Sequence, residues 1–181
     1  MRMVKCDECG LREVAGVLNS GGVAVIPTDT VYGLAAHPGF PDAVERLYAI
    51  KERDGRKPIA LLASDAVAAE KFIGGFPDGA KHLADRWPGA LTIVAKGEGL
   101  RVPDHEWTRR LIAACGGTLR VTSANMSGRR PATDASAALA DVGLSADVVA
   151  DGGTSPGGVP STVVRVSDDG AEVLRQGAAV I

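Results

Sequence analysis

An α/β fold around one largely buried sheet, with some antiparallel pairing, is what the sequence predicts. Three observations carry that prediction. Short continuous apolar runs alternate with stretches whose apolar residues recur at helical spacing, the pattern of strands covered by helices. The last two strand-like runs lie too close together for a parallel crossover, so they form a hairpin. The 181 residues are 45% hydrophobic and show no repeat or linker-like shift in composition. One domain over residues 1–181, burying about 70% of its unfolded surface, is therefore expected without help from a metal or a disulfide.

The elements follow in order. Residues 12–19 place Val14, Val17 and Leu18 on one face of a helix that Gly21-Gly22 stops. Val23–Ile26 is a short apolar run closed by Pro27, a buried strand. A helix over Asp42–Glu52 turns Val44, Leu47 and Tyr48 to the core, and Pro58–Ala63 reads as a second buried strand. Helices are expected at 65–73 and 78–87, strands at 91–95 and 118–122, and a helix at 134–142. Strands at 147–150, 161–166 and 172–174 complete the chain.

Composition removes several classes of function. With 20 Lys+Arg against 22 Asp+Glu the formal net charge is −2, so whole-molecule attraction to a polyanion or an anionic membrane is not expected. Aromatic residues make up 4%, too few for a base-stacking platform. No run is long and apolar enough to span a bilayer, and MRMVKCDECGLREV carries charges where a signal peptide has its apolar segment, so a cytoplasmic location is expected. Cys6, Cys9 and Cys115 are an odd number, which argues against a disulfide framework. The Cys6-x-x-Cys9 spacing is shared by zinc and redox sites, but no second CxxC or close His pair accompanies it, and no metal site is expected.

Four polar clusters stand out from the packing pattern. Pro27-Thr-Asp-Thr-Val-Tyr-Gly-Leu34 follows a strand and presents the hydroxyls of Thr28 and Thr30, with Gly33 allowing a turn or a close approach. On the helix over 42–52, the position that continues the apolar stripe is Lys51, so its ammonium either snorkels to the rim or points into a cleft. Arg53, Arg56 and Lys57 follow; with Lys51 these four cations outweigh Glu52 and Asp54 by +2. The third cluster is Arg86–Thr92, with its Pro88-Gly89 turn, followed by Arg101-Val-Pro-Asp-His105. The fourth is Thr122-Ser-Ala-Asn-Met-Ser-Gly128, between a strand and a helix, where hydroxyls, an amide and backbone N–H groups suit phosphate or carboxylate oxygens.

Each cluster also has a plain structural reading: a capped turn, a helix terminated by cations, a proline turn over Trp87, a satisfied Ser/Asn turn. Similar composition returns at Asp151–Gly158 and Pro160-Ser-Thr162, with Arg175 near the end. Together they supply hydroxyls, amides and the cations Lys51, Arg53, Arg101 and Arg175, with no Ser/His/Asp triad, metal-ligand cluster or paired carboxylates. That inventory positions and neutralises anions, as phosphoryl or nucleotidyl transfer requires.

In their order, PTDTVYGL, Lys51-x-Arg53 with Lys57-Pro58, WPGALT, RVPDH, TSANMSG, DGG and PST resemble the YrdC-domain family, the threonylcarbamoyl-AMP synthases, over nearly the whole chain. The resemblance implies a twisted open sheet of mixed parallel and antiparallel strands with flanking helices around a concave, positively lined cavity. It implies a reaction of L-threonine, bicarbonate and ATP that yields L-threonylcarbamoyladenylate and pyrophosphate, with Mg2+ on the triphosphate. The product would reach tRNA indirectly, through a downstream transferase that completes threonylcarbamoyladenosine. By motif position, Thr28, Arg101 and Ser161 would contact L-threonine, and Lys51, Arg53, Ser123, Asn125 and Arg175 would serve ATP, with Lys51 and Arg53 catalytic.

Two departures are visible. Ile93–Leu100 is shorter than the corresponding segment of relatives, which bears on where Arg101 comes to lie. Arg120, expected on the same strand face as Thr122, stands where relatives have a small residue and is expected to add a cation to the cavity or to narrow it. The expected picture is of Lys51, Arg53, Arg101, Arg120 and Arg175 converging while the acids lie elsewhere. The alternatives are a non-catalytic paralogue that binds RNA, weakly, or a nucleotide through the same cavity, and a carbamoyl transferase acting on another acceptor.

Overall fold

The computed structural model describes residues 2–52, 54–55, 57–167 and 170–181. The first half of the chain forms β1 (Arg2–Lys5), α1 (Glu8–Leu18), β2 (Val23–Ile26), β3 (Gly33–Ala36), α2 (Pro41–Lys51), β4 (Leu61–Ala63), α3 (Ala66–Ile73) and α4 (Asp78–Ala84). There follow β5 (Leu91–Ala95), β6 (Glu98–Arg101), α5 (Glu106–Ala114), β7 (Thr118–Ser123), α6 (Ala135–Asp141), β8 (Val148–Asp151), β9 (Thr162–Ser167) and β10 (Gly170–Arg175).

All the strands join one sheet in the order β1-β8-β2-β3-β7-β4-β6-β5-β9-β10. Pairing is mixed, as expected: β8 runs parallel to β1 and β2, β4 to β6 and β5 to β9. The pairs β2/β3, β3/β7, β4/β7, β5/β6 and β9/β10 are antiparallel.

The two halves of the sheet are covered differently. In the β1–β8–β2–β3 half, α1 and α5 bury Leu11, Val14, Leu18, Leu111 and Ile112 against Ala24, Ile26 and Ala35 on one face. On the opposite face α2 and α6 bury Ala43, Leu47, Ala135 and Ala138 against Val23, Val25, Leu34 and Val149. Strands covered on both sides must be apolar throughout, which is why β2 reads as a continuous run. In the β4–β6–β5–β9 half, one face is packed by Ala69 of α3, Ala80 and Ala84 of α4 and Phe76 of the connection between them. Leu91, Ile93, Leu100 and Val164 point to that side. The alternate residues Thr92, Val94, Gly99, Arg101, Val163 and Arg165 face a cavity.

Several boundaries differ from expectation for local reasons. α1 begins at Glu8 instead of residue 12, because the Asp7 carboxylate accepts from Gly10 N at 2.9 Å and caps it. The run from Pro58 becomes strand only at Leu61, with Ala60 O taking a bond from Val121 N instead. The helix expected over 78–87 ends at Ala84, ahead of a cis Trp87-Pro88 peptide. Four elements are additions. β1 and β3 are short strands, β3 made of Gly-Leu-Ala-Ala, a sequence of low strand propensity that pairing on both sides overrides. β6 is the return of a tight hairpin whose turn residues, Lys96 (φ 51°) and Gly97 (φ 82°), both adopt left-handed backbone. α5 is capped by His105, outside the usual N-cap set.

Candidate functional site

The uncovered face of the sheet forms the floor of a cavity of about 550 Å3. Its walls are the loop before β3, residues 58–60, the end of β7 and the approach to and return from the β9–β10 hairpin. The charged lining residues are Arg101, Arg165 and Arg175, and no carboxylate-bearing residue lines it among those described.

The 27–33 loop is tied down internally. Thr28 donates its hydroxyl proton to Val31 O at 2.7 Å, and its oxygen receives the amides of Thr30 and Val31. Thr28 and Thr30 hydroxyls lie 3.0 Å apart, and since the proton of Thr28 is already placed, Thr30 is the donor. Tyr32, fully buried, donates to Gly153 O at 2.6 Å and accepts from Gly152 N at 3.0 Å, joining this loop to the DGG turn. Burial above all pushes its phenol up to about 12, so it stays a donor. At Gly33 an added Cβ would meet Val121 Cγ1 at 2.5 Å, so only glycine lets β3 lie this close to β7 there.

Arg101 enters the cavity wall from the end of β6, only 6% exposed. The short 93–100 segment therefore delivers it through a tight hairpin. Its Nε donates to Gly89 O at 2.9 Å, Nη1 to Thr30 Oγ1 at 2.9 Å and Nη2 to Asp29 Oδ1 at 2.5 Å. Three of five guanidinium N–H groups are so used, and two remain for a ligand. Burial lowers the Arg101 pKa while Asp29 works to raise it. The expectation that acids lie away from the cationic cluster is thus corrected at Asp29, which the loop geometry brings against Arg101 across 72 residues of chain.

Across the cavity, Ser161 and Thr92 hydroxyls are 2.8 Å apart. Arg175 leaves β10 to donate from Nε and Nη2 to Ser161 O at 3.2 and 2.7 Å, with Nη2 also 3.3 Å from Ser161 Oγ. Its pKa is lowered by burial first and by the charge of Arg101 second.

Lys51, at the C-terminus of α2, neither snorkels nor enters the lining: it is 2% exposed and donates to the carbonyls of Ser123 and Asn125, with Ser123 Oγ at 3.4 Å. The ammonium lies beneath the 123–125 turn and braces it. Asn125 donates through Nδ2 to Met126 O at 2.9 Å and Arg129 O at 2.8 Å, while its buried Oδ1 has no hydrogen-bond partner among the described residues. Ser123 lines the cavity, whereas Lys51 and Asn125 stand behind it. Arg53 and Arg56 lie outside the described residues.

Of the expected site residues, the structure gathers Thr28, Arg101, Ser161, Ser123 and Arg175 around one cavity. Arg120 is corrected: its guanidinium pairs with both oxygens of Glu98, at 2.6 and 2.9 Å, donates to Ile59 O at 3.0 Å and lies 5.6 Å from the Phe72 ring, so it adds no charge to the cavity lining. Glu98 neutralises it from the neighbouring hairpin, a second acid near the cluster. Thr92 and Arg165 were not among the expected site residues. The alternation of β5 and β9 would have found them, since each sits between apolar neighbours that face the core. Cys6 and Cys115 are thiols that burial pushes up to about 12 and about 11.

Over residues 16–177 the chain matches the family model Sua5/YciO/YrdC, which carries the description "Telomere recombination". A threonylcarbamoyl-AMP synthase of Bacillus subtilis (strain 168) is 34% identical over 92% of this chain and 53% of its own length. Another protein of that name, from Chromohalobacter salexigens, is 32% identical over 84% of this chain and 90% of its own. The crystal structure of Pyrococcus abyssi Sua5 complexed with L-threonine superposes with a TM-score of 0.87 at 29% identity, covering 98% of this chain and 57% of that one. The chain thus spans about half the length of the Bacillus relative it matches.

Proposed function

The chain belongs to the Sua5/YciO/YrdC family, and from that premise we propose that it is a nucleotidyltransferase that makes L-threonylcarbamoyladenylate and pyrophosphate from L-threonine, bicarbonate and ATP. The observation that carries this reading is the cavity lined by Arg101, Arg165 and Arg175 and, among the described residues, by no carboxylate. Such a lining suits anions, and no activated nucleophile stands in it among the described residues.

The chemistry needs no more than that. The amine of threonine adds to the bicarbonate carbon and water leaves, giving a carbamate. A carbamate oxygen then attacks the α-phosphorus of ATP, and pyrophosphate departs with the bonding electrons of the P–O bond that breaks. Catalysis is alignment and charge stabilisation. Arg101 would grip the threonine carboxylate with its two unused N–H groups, held in place by Asp29, Thr30 and Gly89. Ser161 would be a further threonine contact, and Thr28 would act through the loop that fixes Thr30 against Arg101.

Ser123 and Arg175 would serve ATP from the cavity wall, with Arg53 as a further cation, while Lys51 and Asn125 would be positioning residues behind the 123–125 turn. Lys51 would act by holding the carbonyls of Ser123 and Asn125 so that the turn faces the phosphates. The hydroxyl and guanidinium donor set suits a triphosphate rather than a bare divalent ion, so Mg2+ would be held mainly by phosphate oxygens and water. The product would then pass, in the cytoplasm, to a transferase that completes threonylcarbamoyladenosine on tRNA.

Pyrophosphate release that requires both threonine and bicarbonate, with the adenylate detected by mass, is the expected result. ATP turnover indifferent to threonine would overturn the reading.

A further inference from the structure

Between β8 and β9 the chain runs exposed from Gly152 to Val159 except at Ser155, which is 6% exposed. An exposed connection that buries one serine has a use for its hydroxyl. The Ser155 amide donates to Thr133 O at 2.7 Å, which fixes the residue, and its Oγ donates to Thr28 O at 2.9 Å. The amide of Gly157 reaches Asp29 O at 3.2 Å, and that of Gly158 reaches Thr30 O at 2.8 Å. Three successive carbonyls of the loop before β3 are thus held by one connection.

The other carbonyls of that loop are held from elsewhere. Thr108 Oγ1 donates to Pro27 O at 2.7 Å, Thr28 Oγ1 to Val31 O at 2.7 Å, and Ala124 N to Tyr32 O at 2.8 Å. Every carbonyl from Pro27 to Tyr32 therefore has its donor, and removing one leaves a buried acceptor unmatched.

The residues whose carbonyls the connection holds are those whose side chains meet at Arg101. Asp29 pairs with Nη2, Thr30 accepts from Nη1, and Thr28 accepts from Thr30. The contact is backbone on backbone and leaves no room for a side chain. A Cβ on Gly157 would stand 2.7 Å from Asp29 O and 3.2 Å from Thr30 Cα. Gly158 beside it takes left-handed backbone, with φ 61°.

We propose that Ser155 and Gly157 are positioning residues for the substrate that Arg101 binds: they fix the 28–30 backbone so that Asp29 and Thr30 hold the guanidinium with its two unused N–H groups toward the cavity. Neither residue lines the cavity, and each acts through the loop. That the substrate group is the carboxylate of L-threonine rests on the function proposed above; the hold on the loop does not. A carboxylate remote from the reacting bonds is gripped equally before and during the reaction, so a slackened grip raises KM and leaves kcat nearly alone.

Two of the three bonds come from backbone amides, so the side-chain test falls on Ser155, and Gly157→Ala disturbs the same loop by a different route. In pyrophosphate release by the full chain, Ser155→Ala is expected to raise KM for L-threonine about 5- to 20-fold. In the same variant kcat should fall less than about threefold, and KM for ATP should stay within about twofold. Gly157→Ala is expected to show the same split, and Thr154→Ala, at an exposed neighbour, to change nothing. A threonine KM unchanged in Ser155→Ala or Gly157→Ala, an equal rise for ATP, or an equal rise in Thr154→Ala overturns the proposal.

Calorimetric titration of L-threonine into wild type and Ser155→Ala reads the same hold without turnover. Binding weakened about 5- to 20-fold in the variant supports it, while equal binding, or none in the wild type, overturns it. A wild type that binds L-threonine, loses affinity in Ser155→Ala and releases no pyrophosphate would sink the synthase reading and leave the positioning role standing. A wild type that releases pyrophosphate while both loop variants match it would sink the positioning role alone.

Discussion

The two halves of the sheet obey the same alternation and put it to different ends. In the β2–β3–β8 half, successive residues point to opposite faces and both faces are packed by helices, so Val23, Ala24, Val25 and Ile26 are all fully buried. In the β5–β6–β9 half, only one face has its helices. There the odd residues Leu91 and Ile93 serve the core while Thr92 and Val94 are left to the cavity. The contrast shows where a sheet of this kind leaves room for a ligand: on the half-face that no helix covers, with polar and small residues interleaved one by one among core residues.

The largest test of this contrast is at Arg101. Replacing it with Met removes one of the three cations of the cavity lining and strands Asp29, whose side chain is 12% exposed, without its partner. Breaking a buried ion pair on one side costs about 3–5 kcal/mol, read by urea denaturation. The double variant Arg101→Met/Asp29→Asn is expected to recover much of that stability. It should not recover kcat/KM for threonine, which is expected to fall about 100- to 1,000-fold in pyrophosphate release. Recovery of both would make Arg101 merely structural.

A smaller test compares neighbours on β5. Ile93→Ala is expected to cost about 2–5 kcal/mol, because it opens a void beneath α3 and α4. Val94→Ala, on the cavity side, should cost about 1 kcal/mol or less and change substrate KM instead. Equal destabilisation at both positions would mean that the uncovered half-face is packed as tightly as the core.

The covered half was largely legible in the sequence, because burial on both faces leaves an apolar run that composition alone reveals. β3 escaped because Gly33-Leu-Ala-Ala36 has no β-branched residue; its strand state comes from β2 and β7 on either side. α5 escaped because its first turn is closed by a histidine, although Trp107, Leu111 and Ile112 keep a helical spacing. At the site, cations and hydroxyls were legible as residue types, and their partners were not. Nothing local in the sequence joins Asp29 to Arg101, Glu98 to Arg120, or Lys51 to the carbonyls of Ser123 and Asn125. Those contacts are made by strand order, and they decide which charges remain open to a ligand.

The two halves meet at His105, and the smallest expected effect lies there. The residue follows Arg101 by four positions and opens α5, which packs against the covered half. Its Nδ1 accepts from Thr108 N at 3.3 Å and sits 3.0 Å from Thr108 Oγ1, which itself donates to Pro27 O at 2.7 Å. Because Nδ1 accepts the Thr108 amide proton, it carries no proton of its own, and neutral His105 is the acceptor that caps the helix. Burial first, and Arg109 next, lower its pKa below the usual 6.5, against the pull of Asp29 and Asp104. The unfolded chain therefore binds the proton more readily, and stability rises with pH through this group. Its contribution is fully present above about 6.5, the unfolded value, and is lost as pH falls through the lower folded value. His105→Asn, a cap without a proton to gain, should flatten that part of the stability profile while keeping α5 in place. A wild-type profile between pH 7 and 5 that is superimposable on that of the variant would show that the seam does not depend on a neutral histidine.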